Sequence, residues 1–197
     1  MHTFTRKNNP VVHEDLRFVS AAVCKDSTRP NLGGVFIDPD GVAVATDGVR
    51  LHYARPVIPF EGLEPGTLYK VKSRTKSKIT LEAVPEHLAG RFPNWEYVLP
   101  KKTVHIWPEH KIAGASTTVA RYNWSMDHPV TLDHGYVDEG LDHSEISQLW
   151  ASKTYGSPAL LRSENDRVGA VIMPIRVLGK KCPDAPERGS IKNHPKL

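Results

Sequence analysis

The sequence predicts an α+β fold in which helices cover one face of an antiparallel sheet. Two observations lead to this class. A helix pattern with one apolar side occurs near each end of the chain, and each is followed by short β-like runs joined by polar turns. The element order β-α-β-β, with room for one more strand, therefore occurs twice. The repeat rests on this pattern, because the two segments share negligible sequence identity.

The first unit is expected to span residues 1–60. Phe4 and its neighbours form a leading strand, and Asn8 or Asn9 can cap a helix that begins at Pro10. Apolar residues at helical spacing give this helix one face that can cover a sheet: Val12, Leu16, Val19 and Val23. The unit therefore starts with a strand and an amphipathic helix.

Two hairpin strands and a third extended run complete the first unit. The strands 34–37 and 42–45 flank Asp38-Pro39-Asp40-Gly41, a turn with proline at its second position. The third run, 50–57, follows the corner Thr46-Asp47-Gly48. Two acidic residues in the 38–41 turn resemble part of a calcium loop, but the closing glutamate is absent and residue 49 is valine.

The second unit is expected to span residues 128–177. A short strand, 129–132, precedes Asp133, which can cap a helix. One side of that helix carries Tyr136, Val137, Gly140 and Leu141. Strands at 159–161 and 169–173 follow, separated by the polar turn 163–166.

Residues 61–127 form an irregular β-rich middle without a convincing long helix. Together with the two units they make one compressed domain over residues 1–177. Residues 178–197 contain prolines, glycines and lysines without periodicity, which predicts a disordered basic tail.

The composition predicts a globular cytoplasmic protein. The chain has 197 residues, 39% of them apolar, and 26 basic against 22 acidic residues, so contact with a polyanion is permitted but not required. Its two cysteines, Cys24 and Cys182, are too few and too far apart for a disulfide framework or a zinc knuckle. The sequence shows no signal peptide and no apolar stretch of about 20 residues that could cross a bilayer.

Three separated strings carry a resemblance to a known family. They are residues 43–51 (Ala-Val-Ala-Thr-Asp-Gly-Val-Arg-Leu), 90–100 (Gly-Arg-Phe-Pro-Asn-Trp-Glu-Tyr-Val-Leu-Pro) and 170–176 (Ala-Val-Ile-Met-Pro-Ile-Arg). In this order they resemble segments of the bacterial DNA polymerase III beta subunit, the ring-shaped sliding clamp. The family has histidine where this chain has Val49, and its chains are roughly twice as long. The resemblance implies a DNA-clamp-like fold and a shortened family member.

The resemblance also implies a function and partners. Clamps are non-catalytic processivity factors, so DNA and peptides of a DNA polymerase or of the clamp loader are the expected partners, and no cofactor or metal is expected. A closed ring would make the chain a homo-oligomer: a hexamer if it supplies one domain, a trimer if it supplies two compressed domains. A monomer or dimer would have to act without encircling DNA.

In the family, clamp-binding peptides insert apolar side chains into a pocket made from these strings. The matching positions here are Leu32, Thr46, Gly48, Val49, Arg50, Leu51, Pro100, Val171, Met173, Pro174, Ile175 and Arg176. Methionine and isoleucine offer an adaptable lining, and Arg50 and Arg176 can hold the carbonyls or an acidic flank of the peptide. The alternative is that residues 173–175 end a core strand and residues 46–48 are an ordinary turn.

A basic run provides the second candidate surface. Lys70, Lys72, Arg74, Lys76 and Lys78 occupy alternate positions, so on one strand all five cations would project from a single face. Their spacing of about 6.6–7 Å is close to that of phosphates along a DNA strand. Arg29 matches a position in a clamp loop that approaches duplex DNA. An edge strand protected by lysines and a mobile basic loop are the alternatives for this run.

Two alternative functions depend on different parts of these candidate surfaces. A stand-alone interaction module, of phage or mobile-element origin, would use the pocket to bind replication proteins without encircling DNA. A small single-stranded nucleic-acid binder would stack bases on Trp95, Trp107 or Trp124 beside the basic run. An enzyme is disfavoured because the sequence has no nucleotide-binding, hydrolase or zinc-site motif.

Overall fold

The computed structural model describes residues 1–101, 103–107, 119–123, 129–152 and 157–175. The strands are β1 (His2–Thr5), β2 (Val35–Ile37), β3 (Ala43–Thr46), β4 (Arg50–Ala54), β5 (Thr67–Arg74), β6 (Lys78–Ala83), β7 (Thr103–Trp107), β8 (Val119–Asn123), β9 (Pro129–Asp133), β10 (Gln148–Ser152), β11 (Ala159–Arg162) and β12 (Val168–Ile172). The α-helices are α1 (Pro10–Val19), α2 (Glu86–Ala89) and α3 (His134–Gly140), and short 3-10 turns occur at Ser20–Ala22, Pro30–Leu32 and Trp95–Val98.

Ten of the described strands form one antiparallel sheet in the order β1-β6-β5-β2-β3-β4-β12-β11-β10-β7, and β8 and β9 form a separate pair. The predicted α+β class with an antiparallel sheet is confirmed. The final strands of the two units, β4 and β12, pair with each other near the middle of the sheet. The two units are therefore joined through one continuous hydrogen-bonded ladder.

The ends of the helices follow local sequence signals. The helix α1 begins at Pro10, as predicted, but ends at Val19, so the apolar stripe expected to reach Val23 passes into the 3-10 turn 20–22. The N-cap is Asn9, although its side chain makes no capping hydrogen bond. Asp133 does cap α3, since its carboxylate accepts the Tyr136 N–H at 3.1 Å. None of the helices in the described ranges has the length and apolar character needed to cross a bilayer.

A large apolar core fills the space between the helices and the sheet. Its fully buried members come from α1, from strands of both units and from β6 of the middle segment, and they include Leu16, Phe18, Ile37, Ile79, Leu132, Leu149, Leu161 and Ile172. Because both units contribute to this one core, burial of apolar area stabilises them together.

The segment 84–99, which was predicted only as part of an irregular middle, helps form a second core. Phe92 stacks on Phe36 with ring centroids 4.7 Å apart, and Trp95 lies 5.4 Å from Tyr53. The Trp95 indole N–H donates to Asp38 Oδ2 at 3.1 Å, which satisfies a buried carboxylate oxygen. The cluster also contains Leu51 and Val171. The middle of the chain therefore brings the 90–100 string to the junction of β4 and β12.

Candidate functional site

The corner between β3 and β4 is fixed by its own hydrogen bonds. Gly48 has φ +91°, a conformation that glycine adopts without strain. The Thr46 hydroxyl donates to the Arg50 carbonyl at 2.6 Å and accepts the Gly48 N–H at 3.1 Å. The Asp47 carboxylate accepts the N–H groups of Val49 and Arg50, each at 3.0 Å. Local hydrogen bonds therefore hold the conformation of this corner.

The corner meets the end of β12 and the 90–100 string. The Met173 N–H donates to the Val49 carbonyl at 2.9 Å, one step beyond the last paired residues of β4 and β12. Val98 approaches from the 3-10 turn Trp95–Val98. The three sequence strings thus converge on one pocket, lined by Thr46, Gly48, Val49, Arg50, Leu51, Val98, Val171 and Met173.

This pocket is apolar and open to solvent. Leu51 and Val171 are buried at its base, whereas Val49 (45% exposed), Val98 (42%) and Met173 (40%) form its rim. The pocket, together with the solvent-open space at its mouth, has an empty volume of about 240 Å³. The geometry suits the insertion of one or two apolar side chains from a partner.

Not all predicted pocket residues line it. Leu32 lies in the same buried cluster as Leu51 and Val171 but outside the lining. Pro100, Pro174 and Ile175 also lie outside the lining. Arg176 lies outside the described residues.

Val98 was missed by the sequence reasoning. The resemblance predicted correctly that the 90–100 segment contributes to the pocket, but it named Pro100 as the lining residue. The 3-10 turn instead presents the apolar side chain two residues earlier.

The guanidinium group of Arg50, predicted to hold the carbonyls or an acidic flank of a bound peptide, has several partners within the chain, and its role towards a peptide stays a prediction. That group forms an ion pair with Asp47 at 3.1 Å, contacts Glu139 of α3, and donates to the Ala21 carbonyl at 2.8 Å. It also lies 4.4 Å from the Tyr136 ring centroid. The Arg50 side chain is 9% exposed, and these contacts position the corner against the 3-10 turn Ser20–Ala22 and α3.

The predicted single strand with five cations on one face is also wrong. A bulge shifts the register of β5 against β6 between Val71 and Ser73. After the bulge Arg74 pairs with the buried Ile79, whereas Lys70 pairs with Glu82. Because neighbouring positions of β6 alternate faces, the bulge places Lys70 and Arg74 on opposite faces. β5 ends at Arg74, so Lys76 lies in the turn and Lys78 begins β6.

Three of the predicted DNA-binding cations already have partners. Lys72 forms an ion pair with Glu82 at 2.6 Å, and Arg29 lies 3.7 Å from Asp26. The Arg74 Nε–H donates to the Arg17 carbonyl at 3.1 Å, and burial lowers the pKa of Arg74. Within the described part of the chain, Lys70, Lys76 and Lys78 are exposed and form no ion pair.

The base-stacking role considered for tryptophans does not fit Trp95, which is 5% exposed and hydrogen-bonded within the second core. The side chain of Trp107 and the whole of Trp124 lie outside the described residues. Among the described residues, no group of three or more histidine, cysteine, aspartate or glutamate side chains could hold a metal ion.

Solved bacterial sliding clamps are similar to this chain in fold. The DnaN sliding clamp (DNA polymerase III subunit beta) of Bartonella birtlesii superimposes with a TM-score of 0.58 at 16% identity, covering 89% of this chain and 66% of the clamp. The fold is a sliding-clamp fold. The clamp of Pseudomonas aeruginosa gives a TM-score of 0.53 at 17% identity, with 90% and 67% covered. The clamp of Bacillus subtilis gives 0.54 at 16%, with 89% and 64% covered.

The match spans about two thirds of the length of these clamps. No protein-family profile and no curated protein sequence matches the chain. At this level of identity the similarity establishes the clamp fold of the chain and nothing about its activity.

Proposed function

We propose that this chain is a non-catalytic, sliding-clamp-like replication factor that binds apolar peptide segments of a DNA polymerase or clamp loader in the pocket formed by Val49, Val98 and Met173. The sliding-clamp fold supports the class of function. The convergence of the three strings on one exposed apolar pocket supports the mode of binding.

The pocket residues divide into a rigid base and an adaptable rim. Leu51 and Val171 pair across β4 and β12 and are fixed by the sheet. Met173 lies beyond the paired residues, and its unbranched thioether side chain can adapt to different apolar partners. Such a pocket binds a short segment with modest affinity and releases it readily, as exchange of polymerases requires.

The test is a titration of a fluorescein-labelled peptide, taken from the clamp-binding segment of a bacterial replicative polymerase, followed by anisotropy. Met173→Ala should weaken binding about tenfold, since truncating a large apolar side chain that contacts the inserted residue costs about 1.4 kcal/mol. Ile58→Ala is the matched control, because Ile58 is an exposed apolar residue (60%) outside the pocket. Equal affinity of both variants, or no binding by the wild type, would overturn the peptide-binding proposal.

Encirclement of DNA is a separate part of the proposal. A ring of clamp units would require several copies of a chain that matches two thirds of a full clamp. Light scattering at high protein concentration decides this point: a closed homo-oligomer supports a ring, and a monomer excludes it. A monomer that still binds the peptide would favour the second candidate, a stand-alone module that occupies replication proteins without encircling DNA.

A further inference from the structure

Two arginine side chains lie on the face of the sheet opposite α1. On β11, Leu161 packs into the core with α1, so the neighbouring Arg162 points to the other face, where its Cζ lies 4.5 Å from the Trp150 ring centroid. Arg55, which follows β4, lies on the same face with its Cζ 5.6 Å from the ring centroid of Trp95 in the second core. Each guanidinium group is therefore held against an indole ring by a cation–π contact, which orients it.

A single carboxylate, that of Asp166, lies near both guanidinium groups. Its Oδ1 accepts the Tyr53 hydroxyl at 2.7 Å, whereas the carboxylate lies 3.9 Å from each arginine, beyond hydrogen-bond distance. Arg55 Nε donates to the Asp166 carbonyl at 3.2 Å, but Arg162 Nε is buried and has no partner among the described residues. Two cations therefore share one carboxylate, and within the described part of the chain their terminal N–H groups make no hydrogen bond.

The surroundings of this arginine pair, Arg55 and Arg162, do not extend it into a row of cations. Asp166 lies in the turn between β11 and β12 together with the exposed Glu164, and residues 56–59 after Arg55 are uncharged. A nucleic-acid backbone requires cations that meet successive phosphates. A lone carboxylate instead suits two guanidinium groups, because each planar fork can donate parallel N–H bonds to its two oxygens. The charge pattern therefore favours an acidic side chain over a polyanionic strand.

We infer that the arginine pair binds a glutamate or aspartate side chain from an acidic segment of a partner protein. The bound carboxylate would accept N–H groups from the terminal nitrogens of Arg55 and Arg162, and it would supply the second negative charge that the pair lacks. The two side chains are 39% and 29% exposed, so a peptide can reach them. The site lies at the opposite end of β4 from the corner at Val49, so it is separate from the apolar pocket and does not rest on the proposed function.

The test is a titration of a fluorescein-labelled peptide of alternating glutamate and glycine residues, followed by anisotropy at low salt. Arg162→Gln should weaken binding about tenfold, because charge-assisted hydrogen bonds to the carboxylate are lost. Arg91→Gln is the matched control, since it removes the same charge from an exposed arginine that lines a different depression, and it should leave the affinity within about twofold of wild type. No binding of the glutamate peptide by the wild type, or equal losses in the two variants, would overturn the site.

Two further substitutions separate a shaped site from a general effect of charge. Arg162→Lys keeps the charge but loses the planar fork, so it should weaken binding nearly as much as Arg162→Gln, and wild-type affinity would contradict recognition by the guanidinium group.

Asp166→Asn keeps both arginines and removes the competing carboxylate. Its amide oxygen can still accept the Tyr53 hydroxyl, and asparagine tolerates the φ of +56° at this position. Binding of the glutamate peptide should become about threefold tighter. Unchanged or weaker binding would overturn the inference, even if the Arg162 variants fail to fold.

Competition identifies the chemistry of the ligand. The unlabelled glutamate peptide should displace the labelled one, whereas the matching peptide of glutamine and glycine should not, because it lacks the charge. Displacement by inorganic phosphate or by single-stranded DNA at lower concentration than by the glutamate peptide would overturn the assignment to an acidic peptide. Met173→Ala should leave the affinity for the glutamate peptide unchanged, so failure of this inference and failure of the proposed function are distinguishable.

Discussion

Gly169 and Tyr53 are paired across β12 and β4, and the tyrosine ring covers the glycine. A Cβ atom at position 169 would lie 2.5 Å from the Tyr53 hydroxyl oxygen. The hydroxyl donates to Asp166 Oδ1 at 2.7 Å, and the ring is fully buried beside Trp95. Because this pair lies where the two units join, the absence of a side chain at position 169 is a packing requirement of the junction.

Gly169→Ala should lower the free energy of unfolding by about 1–3 kcal/mol, because the ring is held by its hydrogen bond and cannot move away freely. Urea unfolding measures the effect. Gly33→Ala is the control, since Gly33 has φ −78° and an added methyl group would lie 3.3 Å from the Pro30 carbonyl oxygen. It should change stability by less than about 1 kcal/mol. Equal costs for the two variants would contradict the packing role of Tyr53.

A buried ionic network also links the two units. Asp15 of α1 accepts hydrogen bonds from the Arg167 guanidinium at 2.8 and 3.0 Å, and His143 Nε2 lies 3.0 Å from its Oδ1. The same guanidinium contacts Glu145. The hydrogen bonds to Glu145 and Asp15 raise the pKa of Arg167 despite its burial.

Arg167→Met should destabilise the protein by about 3–5 kcal/mol, because it leaves the Asp15 carboxylate buried without its cation. The double variant Asp15→Leu/Arg167→Met should cost less than the sum of the two single changes, as measured by urea unfolding. Lys72→Met removes an exposed pair and should cost less than about 1 kcal/mol. Additive effects at positions 15 and 167 would show that the network is not coupled.

His52 makes stability depend on pH. The side chain is completely buried, its Nδ1 lies 2.9 Å from the Phe18 carbonyl oxygen, and the ring stacks on Phe18 at 4.5 Å. Burial lowers the pKa of His52 to about 4. In the unfolded chain a histidine has a pKa of about 6.5, so between these two values the unfolded state binds a proton that the folded state does not.

The free energy of unfolding should therefore fall as pH decreases from about 6.5 towards 4, by about 3 kcal/mol from this residue. Urea unfolding across this range measures the slope. His52→Gln should make the slope shallower, whereas His134→Gln changes an exposed histidine of α3 and should leave it unchanged. If His52→Gln has the same dependence of unfolding free energy on pH as the wild type, another group causes that dependence. His13 is then the next candidate, because its pKa is also lowered.

The strands and helix of the first unit, together with β9, α3, β11 and β12 of the second, were predictable because periodicity reports burial on one face, whereas β10 was not predicted. The turn 38–41, the capping by Asp133 and the start of α1 at Pro10 are local signals, and the structure has each of them. The pairing of β4 with β12 brings together residues more than a hundred positions apart, and propensity carries no information on such pairs. The bulge in β5 was missed for the same reason, because it is a property of the pairing with β6.

The candidate site was predictable at the level of segments but not of side chains. The three strings located the corner, the 3-10 turn and the end of β12. Sequence could not show that the Arg50 guanidinium turns towards Glu139 and Tyr136, because that choice depends on how α3 packs.

The structure places Val98 in the pocket lining, whereas the sequence predicted Pro100 there. Substitutions at these two positions distinguish the two versions of the pocket. Val98 is 42% exposed at the pocket rim, whereas Pro100 lies outside the lining. Val98→Ser should weaken binding of the labelled polymerase peptide about threefold to tenfold, because it removes apolar contact area and adds a hydroxyl group to desolvate. Pro100→Ala should leave the affinity within about twofold of wild type. Pro100 lies outside the lining, and even within an interface fewer than about a third of residues cost more than about 1 kcal/mol of binding free energy when truncated. The opposite ranking, measured by anisotropy, would place the peptide on the proline and away from the pocket at Met173.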